Sequence, residues 1–367
     1  MTTGKQLRST LSEDGALTLE LVETEFPAPT GRQVLVRMEA APINPSDLFL
    51  ISAGVDLENA DYSAGKVVAQ MDPRYLAAQG SRVGQSLQVG NEGAGTVIAT
   101  GDDPMAAALM GQRVGCVPLH AYGEYATVDA LMCLPLGDHS AEAGAGSFVN
   151  PLTALGFVET ARMEGHDAII HAAAASNLGQ MLGRICRADG MGLVNIVRRD
   201  EQVELLRGQG AEHVVNSAAD DFMGQLTSAI DATGAFLGFD PIGGGRTTDI
   251  CLQAMERVAA SRMTEYSRYG SNHPKKMYIY GRLSPGETVL TPSYGFAWTV
   301  SGWLLTPFME HAGMEVVGRM RQRVVDELTT TFASHYKEKV SLEGMLTRDA
   351  MLDYSRMATG EKYLVVP

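Results

Sequence analysis

The chain has 367 residues, with 29 Lys or Arg against 43 Asp or Glu, a formal charge of −14. At about 150 residues per domain this suggests two domains, and 45% hydrophobic with 20% charged residues is an ordinary globular composition. The acidic balance excludes a nucleic-acid backbone binder, no stretch has the length and apolarity of a membrane span, and the opening MTTGKQLRST lacks an apolar signal core, so an intracellular chain is expected.

The first third alternates short extended runs with turns. Val34–Ala41 and Ala94–Ala99 read as strands of a compact β-rich, barrel-like domain. Between Gly54 and Gly90 the pattern loosens into a polar segment carrying Tyr62 and Tyr75, too long for a plain connection, and it reads as a lid or partly ordered insertion. From Asn150 the texture changes. Pro151–Met163 has Pro at a first helical position and apolar residues at helical spacing.

Strands and helices then alternate. Asp167–Ala175 is a strand running into a turn, Leu178–Ala188 a helix, Leu193–Val197 a strand, Asp200–Gly208 a helix and His213–Ser217 a strand. Asp221–Ile230, the run AFLGFDPIGGG, a helix over Thr247–Ser261 and a strand Lys276–Gly281 continue the rhythm, which implies βαβ units and a parallel sheet. The tail adds an aromatic-rich strand (Ser293–Leu305), an amphipathic helix (Met314–His335) and the closing strand YLVVP, which the β-rich start is expected to recruit.

The nucleotide-site candidate is the turn Ala173–Gln180. In a doubly wound sheet a dinucleotide's pyrophosphate sits where the first strand enters its helix. Only Gly179 matches the glycine pattern of that turn, although Ala and Ser are small and Ser176 and Asn177 carry hydrogen-bond donors. Taken alone, the turn is equally a plain strand–helix connection. Arg198 and Arg199 end the second strand, where an NAD site usually has an acidic residue, and two guanidiniums there favour the 2′-phosphate of NADP. Gly238–Gly245 and Tyr280–Leu283 end further strands on the same side. The eight histidines form no spaced ligand set, the four cysteines form no C-x-x-C pair, and G-x-S-x-G is absent. The cysteines (Cys116, Cys133, Cys186, Cys251) are expected as reduced, mostly buried thiols of a cytoplasmic protein.

In order along the chain, APINPSD (Ala41–Asp47), GNEGAG (Gly90–Gly95), GQRVG, FVNPLTA (Phe148–Ala154), ASNLGQ, NIVRRD, YGRL and GEKYLVVP resemble the medium-chain dehydrogenase/reductase superfamily. The similarity is to its zinc-free quinone oxidoreductase and 2-enoyl thioester reductase branch. It implies an α/β fold, with a GroES-like β-rich catalytic domain (1–149 and 310–367) and a Rossmann doubly wound parallel-sheet domain (150–309). Zinc members carry Cys near the first motif and His–Glu in the second; Asn44 and Gly90–Asn91–Glu92 stand here, which implies no catalytic metal.

By the same resemblance, NADP(H) is the cofactor. Asn150 and Thr153 would lie by its ribose and nicotinamide, and Ala175, Ser176, Asn177 and Leu178 under its pyrophosphate. Arg198, Arg199 and Asp200 would meet the ribose phosphate. Tyr280, Gly281, Arg282 and Leu283, with Gly302, Trp303 and Leu304, would flank the nicotinamide, and Lys362 would approach from the other domain. Asn44 would face the reacting ring. The branch's proton-donating Tyr is missing from Leu50–Asp56, leaving Tyr62 as the substitute candidate. The expected activity is hydride transfer to a quinone, enone or similar conjugated carbonyl. The alternatives are enoyl thioester reduction or NADPH binding without turnover. The aromatic strand resembles the edge through which the family forms homodimers.

Overall fold

The computed structural model describes residues 2–358 and 362–367. The chain divides into two compact units, Met1–Val149 with Arg321–Pro367, and Asn150–Met320.

The first unit opens with a long hairpin, β1 (Thr2–Leu11) and β2 (Ala16–Phe26), closed by a turn in which Gly15 takes φ 83°. Leu7, Leu11, Leu17 and Leu19 face inward while Arg8, Thr10, Thr18 and Glu20 remain more exposed, the period-2 alternation of a sheet with one covered face. β3 (Gln33–Pro42) follows, then β4 (Asp61–Ser63), β5 (Lys66–Gln70) and β6 (Ser86–Gln88). The first sheet runs β4-β5-β2-β1-β6.

That sheet corrects the expectation of a lid between Gly54 and Gly90. The segment supplies three of the five strands, and Val67, Ala69 and Met71 enter the core. Gly54 is pressed against Tyr75: a Cβ on it would meet the ring at 2.4 Å. Tyr62, on the edge strand β4, packs against the core and donates its hydroxyl proton to the Leu57 carbonyl at 2.8 Å.

The second sheet of this unit contains β7 (Gly93–Thr100), β8 (Arg113–Cys116), β9 (Tyr125–Asp129) and β10 (Cys133–Pro135). Its order is β10-β8-β7-β3, with β9 also paired to β3.

The second unit is a six-stranded parallel sheet: β11 (Ala168–Ala172), β12 (Gly192–Val197), β13 (His213–Asn216), β14 (Leu237–Asp240), β15 (Lys275–Ile279) and β16 (Trp298–Gly302). The order β13-β12-β11-β14-β15-β16 reverses direction between β11 and β14, the switch point of a doubly wound sheet. β11 is apolar apart from His171 and wholly buried, as a central parallel strand requires. Helices Asn177–Asp189, Asp200–Gly208, Phe222–Thr233 and Thr247–Ser261 link the strands.

Three elements differ from the sequence expectation. Of Ser293–Leu305, only Trp298–Gly302 is strand. The helix expected over Met314–His335 runs over Leu305–Asp326, with Gly313 at φ 83° interrupting it. The helix read from Pro151 begins at Val149, leaving Pro in the first turn, where its missing N–H costs nothing.

The chain returns to the first unit as β17 (Glu338–Val340) and β18 (Tyr363–Val365), and β18 extends the second sheet by pairing antiparallel with β3. All four cysteines are free and buried, as expected.

Candidate functional site

In the second unit, the parallel strands end along one edge, and the predicted cofactor residues collect there. Ala173 follows β11 with φ 52°, a conformation L residues rarely adopt, which turns the chain into the Asn177–Asp189 helix. Ser176 caps that helix, its Oγ accepting from the Gly179 N–H at 3.1 Å. Gly179 cannot carry a side chain: a Cβ would lie 2.2 Å from the Ala174 carbonyl oxygen. Asn177 and Leu178 form the helix's first turn, with Ala175 and Leu178 buried beneath it. The result is a tight turn of small residues with backbone N–H groups at the positive end of a helix, which fits a phosphate group.

Arg198 and Arg199 extend from the end of β12, both exposed, and Arg199 precedes the first helical residue, Asp200. Asp200 accepts from Asn216 Nδ2 at 2.7 Å, so it is anchored to the end of β13 while the two guanidiniums stay open. An anionic group at the strand end would find both within reach of solvent.

The glycine-rich turn after β14 is locked to the segment after β15. Leu283 N–H donates to the Pro241 carbonyl at 3.0 Å and Ser284 N–H to Ile242 at 2.9 Å, and a Cβ on Gly281 would stand 2.6 Å from the Pro241 oxygen. The buried Asp240 carboxylate accepts from Ile242 N–H and Thr248 Oγ1, and burial raises its pKa. Tyr280 points inward to His171. Arg282 and Leu283 face out. Gly302, the last residue of β16, and Leu304 beyond it are exposed, whereas Trp303 turns in and donates Nε1–H to Thr160 at 3.1 Å. Thr153 is buried and Asn150 partly exposed on the Val149–Met163 helix.

The first unit holds a separate polar cluster. Asn44, 2% exposed, donates Nδ2–H to Glu92 Oε1 at 2.9 Å. Glu92, with no exposed surface, accepts through Oε2 from the N–H groups of Phe148 (3.1 Å) and Val149 (2.8 Å). Asp47 accepts from Asn44 N–H and Asn91 N–H, both at 2.8 Å, and burial raises its pKa to about 6. Lys362, the residue before β18, places its Nζ 5.9 Å from the Tyr336 ring centre, and burial lowers its pKa against the pull of Glu92 and Asp47.

The structure therefore brings Asn44 and Lys362 into one cluster and leaves Tyr62 on the edge of the other sheet. Sequence reasoning did not single out Asp47 or Glu92 as site residues, although both lie in quoted motifs. It also passed over Tyr336, for which no local pattern exists. Among the described residues, no group of three His, Cys, Asp or Glu stands where it could hold a metal ion.

No family model matches the chain. The mitochondrial enoyl-[acyl-carrier-protein] reductase of Bos taurus is 30% identical over 208 residues, covering 55% of this chain and 50% of that protein. A mycocerosic acid synthase-like polyketide synthase of Mycobacterium tuberculosis is 30% identical over 146 residues, which is 39% of this chain and 7% of the synthase. The chain thus spans about half the length, or less, of these curated relatives.

Among solved structures, a protein of Mesorhizobium loti named for NADPH:quinone reduction aligns over 100% of both chains, with a TM-score of 0.75 and 26% identity. A mycobacterial protein solved in complex with NADPH aligns over 99% of this chain and 100% of that one, at TM-score 0.71 and 19% identity. The two-domain fold is that of these neighbours. Relatives by sequence and neighbours by fold are enoyl and quinone reductases, as the motif series led one to expect.

Proposed function

We propose that this chain, similar in sequence and fold to reductases of the medium-chain dehydrogenase/reductase superfamily, is an NADPH-dependent, zinc-independent oxidoreductase acting on a quinone, enone or similar conjugated carbonyl. The observation that carries the reading is the open Arg198–Arg199 pair at the end of β12, beside the capped turn Ala173–Leu178. Bound there, NADPH would supply hydride from nicotinamide C4. The chain's own work is to bind and orient. The helix N-terminus would hold the pyrophosphate and the arginine pair the 2′-phosphate. Asn150, Thr153 and the segments Tyr280–Leu283 and Gly302–Leu304 would line the nicotinamide end. The first unit would serve as the catalytic domain and the second as the nucleotide-binding domain.

A second reading, enoyl thioester reduction, is favoured by the names of the curated relatives. Tyr62 gives it little support as an acid, because its proton is engaged on the Leu57 carbonyl. Anaerobic NADPH consumption with quinones, simple enones and a 2-enoyl thioester offered side by side separates the two. Turnover of quinones or enones alone supports the main reading; thioester turnover replaces it; NADPH binding without turnover on any acceptor leaves a nucleotide-binding protein.

We also propose a cytoplasmic homodimer paired through β16, which ends the six-stranded sheet with one side unpaired. Light scattering tests the dimer. No helix among the described residues is long and apolar enough to cross a membrane.

A further inference from the structure

Cys116 and Cys133 form no motif in the sequence, yet the sheet brings them together. Cys116 ends β8 and Cys133 begins β10, and the antiparallel register sets them directly opposite each other. Both lie in the hydrophobic core of the first unit, 0% and 1% exposed, and both are free thiols. Cys186 and Cys251 sit on separate helices of the second unit.

The hydrogen bonds show which kind of pair this is. Opposite residues of an antiparallel ladder alternate between pairs that exchange N–H···O=C bonds and closer pairs that do not. Val117 N–H donates to the Met132 carbonyl at 3.2 Å, passing just outside Cys116 and Cys133. Leu136 N–H donates to the Arg113 carbonyl at 3.0 Å, which sets the same phase two residues along, at Val114 and Pro135. Proline has no N–H to give, so that phase suits it. Cys116 and Cys133 are therefore a pair of the closer kind. In such a pair the Cα atoms stand about 4.5 Å apart with both side chains on one face. A disulfide spans Cα separations of about 4.4–6.8 Å, so rotation of the two side chains is the only motion required. Cys133 Sγ gives up little by turning, since its one contact is a long one, 3.8 Å to the Asp129 carbonyl.

The surroundings distinguish the two sulfurs. Arg321 donates to the carbonyls of Leu131, at 2.6 Å, and of Cys133, so a guanidinium stands beside Cys133. Burial pushes the Cys133 thiol up to about 12, with Arg321 pulling it down and Asp129 adding to the rise. Cys116 is buried deeper and faces Cys133 and Glu92, with no cation to favour its thiolate. Cys133 is thus the attacking sulfur and Cys116 the resolving one.

We propose that Cys116 and Cys133 are a modification site, a reversible disulfide made by a peroxide small enough to reach the buried pair. The Cys133 thiolate attacks one peroxide oxygen, the O–O bond breaks, and Cys133 becomes a sulfenic acid. The departing hydroxide takes up the proton that Cys133 lost. Cys116 sulfur then attacks Cys133 sulfur, the S–S bond forms, and the second hydroxide leaves as water with the Cys116 proton. Two thiols are oxidised and one peroxide is reduced to two waters. The bridge fastens β10, a three-residue edge strand, to β8 and closes the chain between them, β9 included. It involves no cofactor and stands independently of the oxidoreductase reading.

The test exposes the full-length protein to hydrogen peroxide at pH 7, 8 and 9, then denatures it in a maleimide reagent and maps the peptides by mass. A linked pair joining Cys116 to Cys133 is expected, with Cys186 and Cys251 alkylated, and dithiothreitol should restore all four thiols. The linking rate should rise roughly tenfold per pH unit, as attack by a scarce thiolate requires. The bridged protein should melt at least about 4 °C higher than the reduced one and lose that gain on reduction. In Cys116→Ala, Cys133 should pass on to the sulfinic acid for want of a resolving thiol. In urea, where the register is gone, the links should scramble. The mapping needs only the wild-type chain, so a variant that fails to fold does not spare the proposal. Native protein that links other cysteines, gives the mixture seen in urea, or ends with Cys133 as sulfinic acid beside an alkylated Cys116 would overturn it.

Discussion

In the second unit His171 Nε2 and the Tyr280 hydroxyl lie 2.7 Å apart, tying the central strand β11 to the segment that follows β15. His171 has no exposed surface, and burial lowers its pKa from 6.5 to about 3, so the bond joins two neutral groups. The Tyr280 ring is stacked on the imidazole and set edge-on to Phe157. This contact holds Tyr280 inward and leaves the backbone that follows it to face outward from the sheet edge.

A pH dependence follows from that pair. Between about pH 6.5 and pH 3 the unfolded chain takes a proton on His171 that the folded chain refuses. Its contribution to stability is therefore full above pH 6.5 and is lost progressively as the pH falls through that window. His171→Phe should flatten the stability profile there by up to about 1.4 kcal/mol per pH unit. Urea denaturation of both proteins from pH 4 to pH 7 measures it, and parallel profiles would refute the assignment.

The arginine pair makes a prediction about cofactor choice. Both side chains are exposed, so replacing them leaves the core untouched. Arg198→Ser with Arg199→Ser should weaken NADPH by about 2–4 kcal/mol, two charge-assisted contacts, and NADH by much less. Fluorescence titration with each nucleotide decides it. Equal losses would remove the 2′-phosphate from this strand end.

Two residues around the β11 turn, Ala173 in the turn and Gly179 in the helix after it, should respond in opposite directions. Gly179→Ala would drive a Cβ to 2.2 Å from the Ala174 oxygen, a contact with backbone that cannot swing aside. The helix must then move off the turn, and a loss of about 1–3 kcal/mol in stability is expected, with weaker NADPH binding. Ala173→Gly relieves a φ of 52° that costs an L residue roughly 1–2 kcal/mol, offset in part by glycine's freedom in the unfolded chain. Stability should hold or rise slightly. Thermal melts of the two variants with and without NADPH provide the comparison.

How much of this was legible depends on the length of each pattern. β11, β12 and their helices carry runs of apolar residues bounded by turns, and the helix Asp200–Gly208 was read to the residue, with the helix expected at about Thr247–Ser261 found there. The segment after Gly54 was misread because β4 and β6 are three residues each, too short to display alternation, and their polar residues belong to edge strands. The β1–β2 hairpin went unread for a related reason: Arg8 and Glu20 on its outer face, and the Lys5–Glu23 pair toward its open end, break up the leucines. Asn44 and Glu92 stand 48 residues apart, and Lys362 reaches them only because β18 returns to pair with β3. Such a cluster leaves no period in the sequence. The motif resemblance found Asn44 and Lys362, and only the fold supplied Glu92 and Tyr336 as their neighbours.

Glu92 is the hinge of that cluster, and its amide variant should change the cluster's chemistry as well as its stability. The carboxylate accepts three hydrogen bonds, one from Asn44 and two from backbone N–H groups, and has no contact with water. Glu92→Ala leaves all three donors buried and unpaired, at about 1–3 kcal/mol each before any relaxation. Glu92→Gln is subtler. Its Oε1 can take over the Phe148 and Val149 N–H groups, but its NH2 then meets the Asn44 NH2, and two donors cannot pair. Asn44 must turn over, presenting NH2 where it had presented Oδ1. If the acceptor meets Asn44 through Oδ1, where the motif resemblance sets Asn44 facing the reacting ring, kcat falls in Glu92→Gln while NADPH affinity holds, and Asn44→Asp, which restores an acceptor in that background, recovers part of the rate. A Glu92→Gln protein of lower stability and undiminished kcat would show that Glu92 holds the backbone together and does nothing for the reacting oxygen.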